Sequence, residues 1–326
     1  MSAAQQGNGA EPAWVKAAAN QSRLAFGLAV TELGRRDERV VAVSADTLDL
    51  IGLRGLIEHA PARVIDVGIA EQNAMGVGAG LATSGLRPFV CGYAPFITAR
   101  SMEQIRNEVA YANQRVVIGA AASGISLGVS GGTHHALEDL ALMRSLPNMT
   151  VVVPADAHEA WHATLATDGI DGPAYIRLGG RVPEPPVTPV DAPFSLGRAA
   201  CLAEGSDVAV IACGALVAPA VAAAEELAGQ GIGARVLNMS TIKPLDEDAI
   251  LAAAEETRGI VTAEEHHLTG GLGGAVAELL AVKRPTPMRM VGMPDEFAVV
   301  GPTDRIRARY GMSARHIVDA CLDLVG

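Results

Sequence analysis

Asp66-Val67-Gly68-Ile69-Ala70-Glu71-Gln72-Asn73-Ala74-Met75-Gly76-Val77-Gly78-Ala79-Gly80 sets one carboxylate between a short apolar run and a helix crowded with glycine. Residues 64–67 read as a buried strand and 74–81 as a helix, so Glu71 falls in the first helical turn, where the helix dipole favours an anion. Gly76, Gly78 and Gly80 each cost a helix interior about 1 kcal/mol relative to alanine, and close approach of another backbone would offset that cost. The glycines therefore predict a tight helix–helix contact, for example between subunits. Taken alone, Glu71 has a plainer reading as a first-turn acid that satisfies the dipole.

Outward from this stretch, helix and strand alternate. Residues 22–36 read as a helix, 40–43, 89–91 and 116–120 as strands, 102–112 and 137–144 as helices, and 150–153 and 174–176 as strands around a helix opening near Asp156. The strands are short, apolar and free of polar alternation, as in a parallel sheet covered on both faces. Residues 183–193 hold Pro183, Pro185, Pro186, Pro189 and Pro193 and read as a semi-rigid linker. Beyond it the pattern repeats, with strands at 208–212, 234–237, 259–262 and 288–291 and helices at 217–227, 246–255, 274–280 and 313–324. The fold class is α/β: two domains, 17–182 and 194–326, each a mostly parallel sheet flanked by helices, after a disordered start over 1–16. Ligands of such sheets bind beyond the carboxyl ends of the strands.

Composition narrows the function classes. The chain has 326 residues, 49% of them hydrophobic, with 25 Lys and Arg against 36 Asp and Glu and a formal charge of -11. No basic block interrupts it, which argues against nucleic acid as a partner. Cys91, Cys201, Cys213 and Cys321 are widely spaced and form no C-x-x-C pair, so they read as reduced core thiols of a cytoplasmic protein. Neither an apolar signal core nor a stretch long enough to span a bilayer is present, which predicts a soluble protein away from membranes.

Residues 121–135 form a Gly- and Ser-rich loop ending in His134 and His135, and long irregular loops of this kind tend to be functional. With it, the order of segments becomes distinctive. Gly68-Ile69-Ala70-Glu71-Gln72-Asn73-Ala74-Met75-Gly76, Gly92-Tyr93-Ala94-Pro95-Phe96, Gly131-Gly132-Thr133-His134, Leu146-Pro147-Asn148-Met149 and Pro154-Ala155-Asp156 resemble the pyrimidine-binding domain of transketolases. Thr241-Ile242-Lys243-Pro244-Leu245-Asp246 and Thr262-Ala263-Glu264-Glu265-His266 are similar to that family's C-terminal domain. The Gly-Asp-Gly and paired Asn of the family's diphosphate-binding domain do not occur. The chain thus resembles one half of a split transketolase, and the resemblance implies a separate partner subunit that carries Mg²⁺ and the diphosphate of thiamine diphosphate, in an α2β2 heterotetramer.

The resemblance also implies roles. Glu71 would hydrogen-bond the aminopyrimidine of thiamine diphosphate, Phe96 and Tyr93 would stack on it, and Asp46 would lie near the cofactor. His134 would bind the donor ketose near its reacting carbonyl, and Arg23 and Arg177 would take the sugar phosphate in their guanidinium forks. No metal ligand is expected on this chain itself. As isolated residues, Phe96 reads as core, Asp46 as a loop N-cap and the two arginines as solvated surface charges.

Several positions depart from the family pattern. Val129 and Ser130 stand where transketolases carry an acidic pair, Gly132 replaces a proline, and Ala122 and Leu50 replace a histidine and a serine that contact phosphate. Such losses point to a ketol transfer whose donor or acceptor is not the standard pentose phosphate, with His135 and Ser130 as compensating substrate contacts. Rival readings with the same cofactor are a 1-deoxyxylulose-5-phosphate synthase-like half and a 2-oxo-acid dehydrogenase beta-like subunit; a non-catalytic scaffold is a rival of another class. A further rival is a zinc hydrolase, because His158-Glu159-Ala160-Trp161-His162 fits H-E-x-x-H. Asp156, however, reads as an N-cap with Glu159 as its capping-box partner, and no third ligand pattern follows. His266-His267 and the glycines at 270–274 form neither a GxGxxG nor a P-loop and read as structural.

Overall fold

Apolar runs of three to eight residues build two sheets in the computed structural model, which describes residues 11–326. In chain order the strands are β1 (Val40–Ser44), β2 (Val64–Asp66), β3 (Arg87–Tyr93), β4 (Val117–Ala121), β5 (Thr150–Val152), β6 (Ala174–Arg177), β7 (Ala200–Ala203), β8 (Val208–Ala212), β9 (Ala234–Asn238), β10 (Thr241–Lys243), β11 (Ile260–His267) and β12 (Met288–Met293). The first sheet has the order β10-β5-β6-β4-β3-β1-β2 and the second β12-β11-β8-β9-β7. All pairings are parallel except β10 with β5 and β7 with β9. In the first sheet Ala42 pairs with Phe89 and Phe89 with Val117, so the side chains at the centre are apolar and buried.

Helices cover both faces as the alternation predicts. Ser22–Arg36 approaches Ile51–Gly52 backbone to backbone, since a Cβ on Gly27 would lie 2.0 Å from the Ile51 carbonyl oxygen. Only glycine fits there. The helix expected over 102–112 is reached through a π-helical turn, Phe96–Arg100, and ends in another, Ile105–Tyr111, a geometry that often marks functional positions.

Three expectations about domain organisation change. Residues 1–10 of the expected disordered start lie outside the described residues, whereas Ala13–Ala18 is helical and Trp14 stacks on Trp161 with ring centroids 4.6 Å apart. Residues 183–193, read as a linker, form a strap bound to the first domain: Asp156 accepts from the amides of Val187 (2.7 Å) and Thr188 (2.8 Å) while capping its own helix at Glu159 (2.9 Å). His158 and His162 face the carbonyls of Thr188 and Val190, each at 2.7 Å, so the H-E-x-x-H histidines hold the strap in place. Finally, β10 belongs by sequence to the second domain but closes the edge of the first sheet, where an open edge would be exposed to pairing with other chains.

Cys91, Cys213 and Cys321 are buried as expected, whereas Cys201 on the edge strand β7 is exposed. Among the described residues no helix is long and apolar enough to cross a membrane.

Arg177 does not reach outward to a substrate. It is buried, donating through Nε (2.7 Å) and Nη2 (3.1 Å) to Asp139, and through Nη2 to the carbonyls of Ala136 (2.8 Å) and Glu265 (2.9 Å). The side chain thus ties β6, the end of the 121–135 loop and β11 of the second domain together. Tyr175 adds a 2.5 Å hydrogen bond to Asp139. Burial alone would raise the Asp139 pKa, but the Arg177 guanidinium holds it below its ordinary value. Loss of one partner leaves an unpaired buried charge, so Arg177→Met is expected to lower the unfolding free energy by about 3–5 kcal/mol, largely recovered in Arg177→Met/Asp139→Leu. Denaturant unfolding measures it, and an unchanged midpoint would return Arg177 to the solvent-facing role.

On the strap, Glu184 accepts from the amide (2.6 Å) and hydroxyl (2.8 Å) of Ser22, and burial pushes its carboxyl up to about 7. A raised carboxyl pKa means that the folded chain binds the proton more tightly than the unfolded one. This contribution to stability is therefore full below the unfolded carboxylate range and lost as pH rises towards about 7. Glu184→Gln is expected to flatten the pH dependence of the unfolding midpoint between pH 5 and 8; a slope equal to that of the parent chain would assign the linkage to other groups.

Candidate active site

The loops after β1, β2, β3 and β4 share the carboxyl edge of the first sheet and bring together most of the residues singled out in the sequence. Glu71 opens the helix Glu71–Thr83 directly after β2 and is 3% exposed. Its Oε2 accepts from Arg100 Nη1 at 2.6 Å, so a buried carboxylate is neutralised by a half-exposed guanidinium. That guanidinium lies 4.7 Å from the centroid of the Phe96 ring. Phe96 in turn meets Tyr93 edge-on at 6.2 Å and His134 at 5.2 Å. Thr133 Oγ1 lies 3.0 Å from His134 Nδ1 and orients the imidazole. An acid, a cation, an aromatic face and a histidine therefore surround one position at the sheet edge.

Arg100 was missed in the sequence. The signal was its place four residues after Phe96, which on a helical turn puts both side chains on one face. The glycine expectation is also revised. A Cβ on Gly78 would lie 2.4 Å from Val90 Cγ2, so this glycine seats the helix on β3 rather than on a second helix. Gly76 has only the Glu108 carboxylate nearby, and Gly80 has no atom within 4 Å among the described residues, so this stripe faces outward.

Asp46 follows β1 with φ +57°, and its amide donates to Asp66 Oδ1 (3.2 Å), which also accepts from Gly68 (2.8 Å). Ala122, after β4, has φ +59°. Non-glycine residues held in the left-handed region at a strand end are a common mark of functional loops. Ser130 is exposed in the turn Gly128–Ser130, beside Val129 at 72% exposure.

His135 does not join Ser130 at the surface. It is buried, with Nε2 3.4 Å from the Gly128 carbonyl, and burial lowers its pKa, so this ring is not available as a substrate contact. Arg23 is buried as well and donates to the carbonyls of Gly180 (2.9 Å) and Leu50 and to Gln21 Oε1. Burial, and then the neighbouring charge of exposed Arg181, lower its pKa. Arg181, four residues beyond Arg177, supplies the outward-facing cation that was expected at Arg177.

The remaining motifs have structural uses. Glu264 accepts from the amides of Leu272 (2.7 Å) and Gly273 (2.8 Å), filling the N-terminus of the helix Leu272–Lys283, and a Cβ on Gly271 would collide with it. His266 accepts from the Ala141 amide through Nε2 (3.3 Å) and lies 2.7 Å from the His267 carbonyl through Nδ1; burial pushes its pKa down to about 4, so it stays neutral. Among the described residues no three His, Cys, Asp or Glu side chains cluster as metal ligands.

Comparison with known proteins places this geometry. The transketolase pyrimidine-binding domain matches residues 19–180 and the transketolase C-terminal domain residues 197–317. The chain is 43% identical over 292 residues to the 6-deoxy-6-sulfo-D-fructose transketolase subunit of Clostridium sp. strain MSTE9, covering 89% of both chains. It is 41% identical to one subunit of the apulose-4-phosphate transketolase of Phocaeicola vulgatus, covering 93% of this chain and 97% of that one. A 1-deoxy-D-xylulose-5-phosphate synthase of Geobacter sulfurreducens is also 41% identical, but this chain spans only 46% of it. Among solved structures, a split-gene transketolase described as an inactive beta4 tetramer superposes with a TM-score of 0.85 at 41% identity, covering 94% of this chain and 98% of that one. The chain belongs to the thiamine-diphosphate-dependent transketolase family and has the two-domain form of its split subunits.

Proposed function

We propose that this chain is the pyrimidine-side subunit of a cytoplasmic split transketolase that moves a two-carbon ketol unit from an atypical ketose to an aldehyde. The cluster of Glu71, Arg100, Phe96 and His134 carries the reading. A buried carboxylate beside an aromatic face fits an aminopyrimidine, which needs both a hydrogen-bond acceptor for a ring nitrogen and a flat surface to lie against. Thiamine diphosphate supplies, when bound, the carbon nucleophile that breaks and remakes the carbon–carbon bond. Glu71 holds the proton shared with the pyrimidine nitrogen, Phe96 and Tyr93 fix the ring plane, and Asp46 borders the cofactor. Arg100 keeps the carboxylate neutralised before the ring arrives. His134 holds the carbonyl oxygen of the donor, and Ser130 lies on the rim.

Mg²⁺ and the diphosphate are assigned to a separate partner subunit, in an α2β2 assembly. Two relatives are named for 6-deoxy-6-sulfo-D-fructose and apulose-4-phosphate, sugars with an anionic end. Exposed Arg181 beside buried Arg23 offers a cation for such a group here, which favours a phosphorylated or sulfonated ketose. The loop around Val129 and Ser130 lacks a carboxylate to read a sugar hydroxyl, so the stereochemical preference differs from that for pentose phosphates.

The test is reconstitution. The isolated chain is expected to be inactive and to gain ketol transfer on addition of the partner subunit, thiamine diphosphate and Mg²⁺, assayed on a panel of ketoses and aldehydes. Turnover by the isolated chain would overturn the split-site reading. In the reconstituted enzyme Glu71→Ala is expected to lower kcat by about 10²–10⁴-fold, the range of a lost acid–base group. Unchanged kcat would remove Glu71 from the mechanism.

A further inference from the structure

The carboxyl ends of both sheets converge on a single cavity. Ser123 follows β4, Arg177 ends β6, Gly214 follows β8 and Glu265 lies in β11, and together they line a space of about 70 Å³. The strap closes it at Glu184, and the helix Thr303–Arg309 closes it at Arg307. One water needs roughly 10–15 Å³, so the space admits several waters or one compact group of four or five heavy atoms.

The hydrogen-bond inventory of the lining is lopsided. Its acceptors are engaged: Glu265 accepts from the Ile125 amide and from Arg307 Nε, Glu184 accepts twice from Ser22, and the Gly180 carbonyl accepts from Arg23. Its donors are not. Arg307 donates through Nε alone and Arg177 through Nε and Nη2 alone, which leaves three guanidinium nitrogens without a protein acceptor among the described residues. The first turn of the helix entered through Gly214–Leu216 also borders the cavity, and amides at that position have no intrahelical acceptor. The fixed charges balance: Arg177 with Asp139, Arg307 with Glu265. Glu184 completes the set, and burial keeps it partly protonated near neutral pH.

We propose that the cavity between the two domains binds a small oxyanion of the phosphate or carboxylate type, held by Arg307 and Arg177 and by the amides that open the helix after β8. Its ligands come from both sheets, so occupancy fixes the two domains against each other. This site is independent of the rim cation Arg181, which lies on the exposed side of the strap.

Thermal unfolding of the full chain in phosphate, acetate and chloride at matched ionic strength tests the site. Phosphate or acetate is expected to raise the Tm over chloride by about 2–4 °C, and the anion that does so identifies the ligand type. The shift is expected to persist in Arg181→Gln and to vanish in Arg307→Gln. If Arg307→Gln does not fold, Ala218→Leu, which fills the cavity from the helix wall, is expected to abolish the shift by exclusion. Equal Tm values in the three salts, a shift that survives in Arg307→Gln or Ala218→Leu, or one that disappears in Arg181→Gln would each overturn the proposal.

Discussion

The buried pair of Arg177 and Asp139 is the interaction on which the arrangement of the molecule depends. Two charges removed from water gain little from each other unless the remaining donors and acceptors are also met, and here they are. Arg177 reaches the carbonyls of Ala136 and Glu265, and Asp139 also accepts from Tyr175. One side chain at the end of β6 thereby fixes three things: where the 121–135 loop terminates, how the helix Asp139–Arg144 starts, and where β11 of the second domain ends. An apolar replacement would fill the same space without specifying any of those positions.

The position of His134 follows from that constraint. The loop that carries it is held at Ala136 by Arg177 and at Gly124 by the paired amides and carbonyls of Gly124 and Ala136. The opposite wall is fixed by different means. Gly78 lets the Glu71 helix sink onto Val90, and the π-helical turn after β3 rotates Phe96 and Arg100 towards the mouth of that helix. Two independently anchored walls give a site whose parts do not need a ligand to find one another, which is what preorganised binding requires.

Much of this was legible before the structure. Ser22–Arg36 and β8 coincide with their expected bounds, because long apolar periodicity and uninterrupted β-rich runs are strong local signals. The contacts that stitch the domains together were not legible. β10 is three residues long and pairs with a strand nearly ninety positions earlier, and no local pattern encodes such a partner. Arg177 and Arg181 illustrate the limit at side-chain level. Both follow a buried strand, and only the presence of Asp139 beneath the first decides which of them points inward. The H-E-x-x-H match fails as a metal site for a related reason: its spacing fixes a helix face, but what that face meets is the strap at 188–190.

What the helix after β2 leaves uncovered bears on the missing half of the site. Gly78 is accounted for by β3, yet Gly76 and Gly80 meet no backbone in this chain, and each still carries its helical cost. At about 1.5 Å rise per residue they lie roughly 8 and 14 Å along the axis from Glu71. A surface that packs against this stripe closely enough to require glycine is thereby brought within two to three helical turns of the carboxylate. The same helix thus sets the acid in one wall of the active site and sets how near the other wall can come, which ties activation of the cofactor to assembly of the subunits.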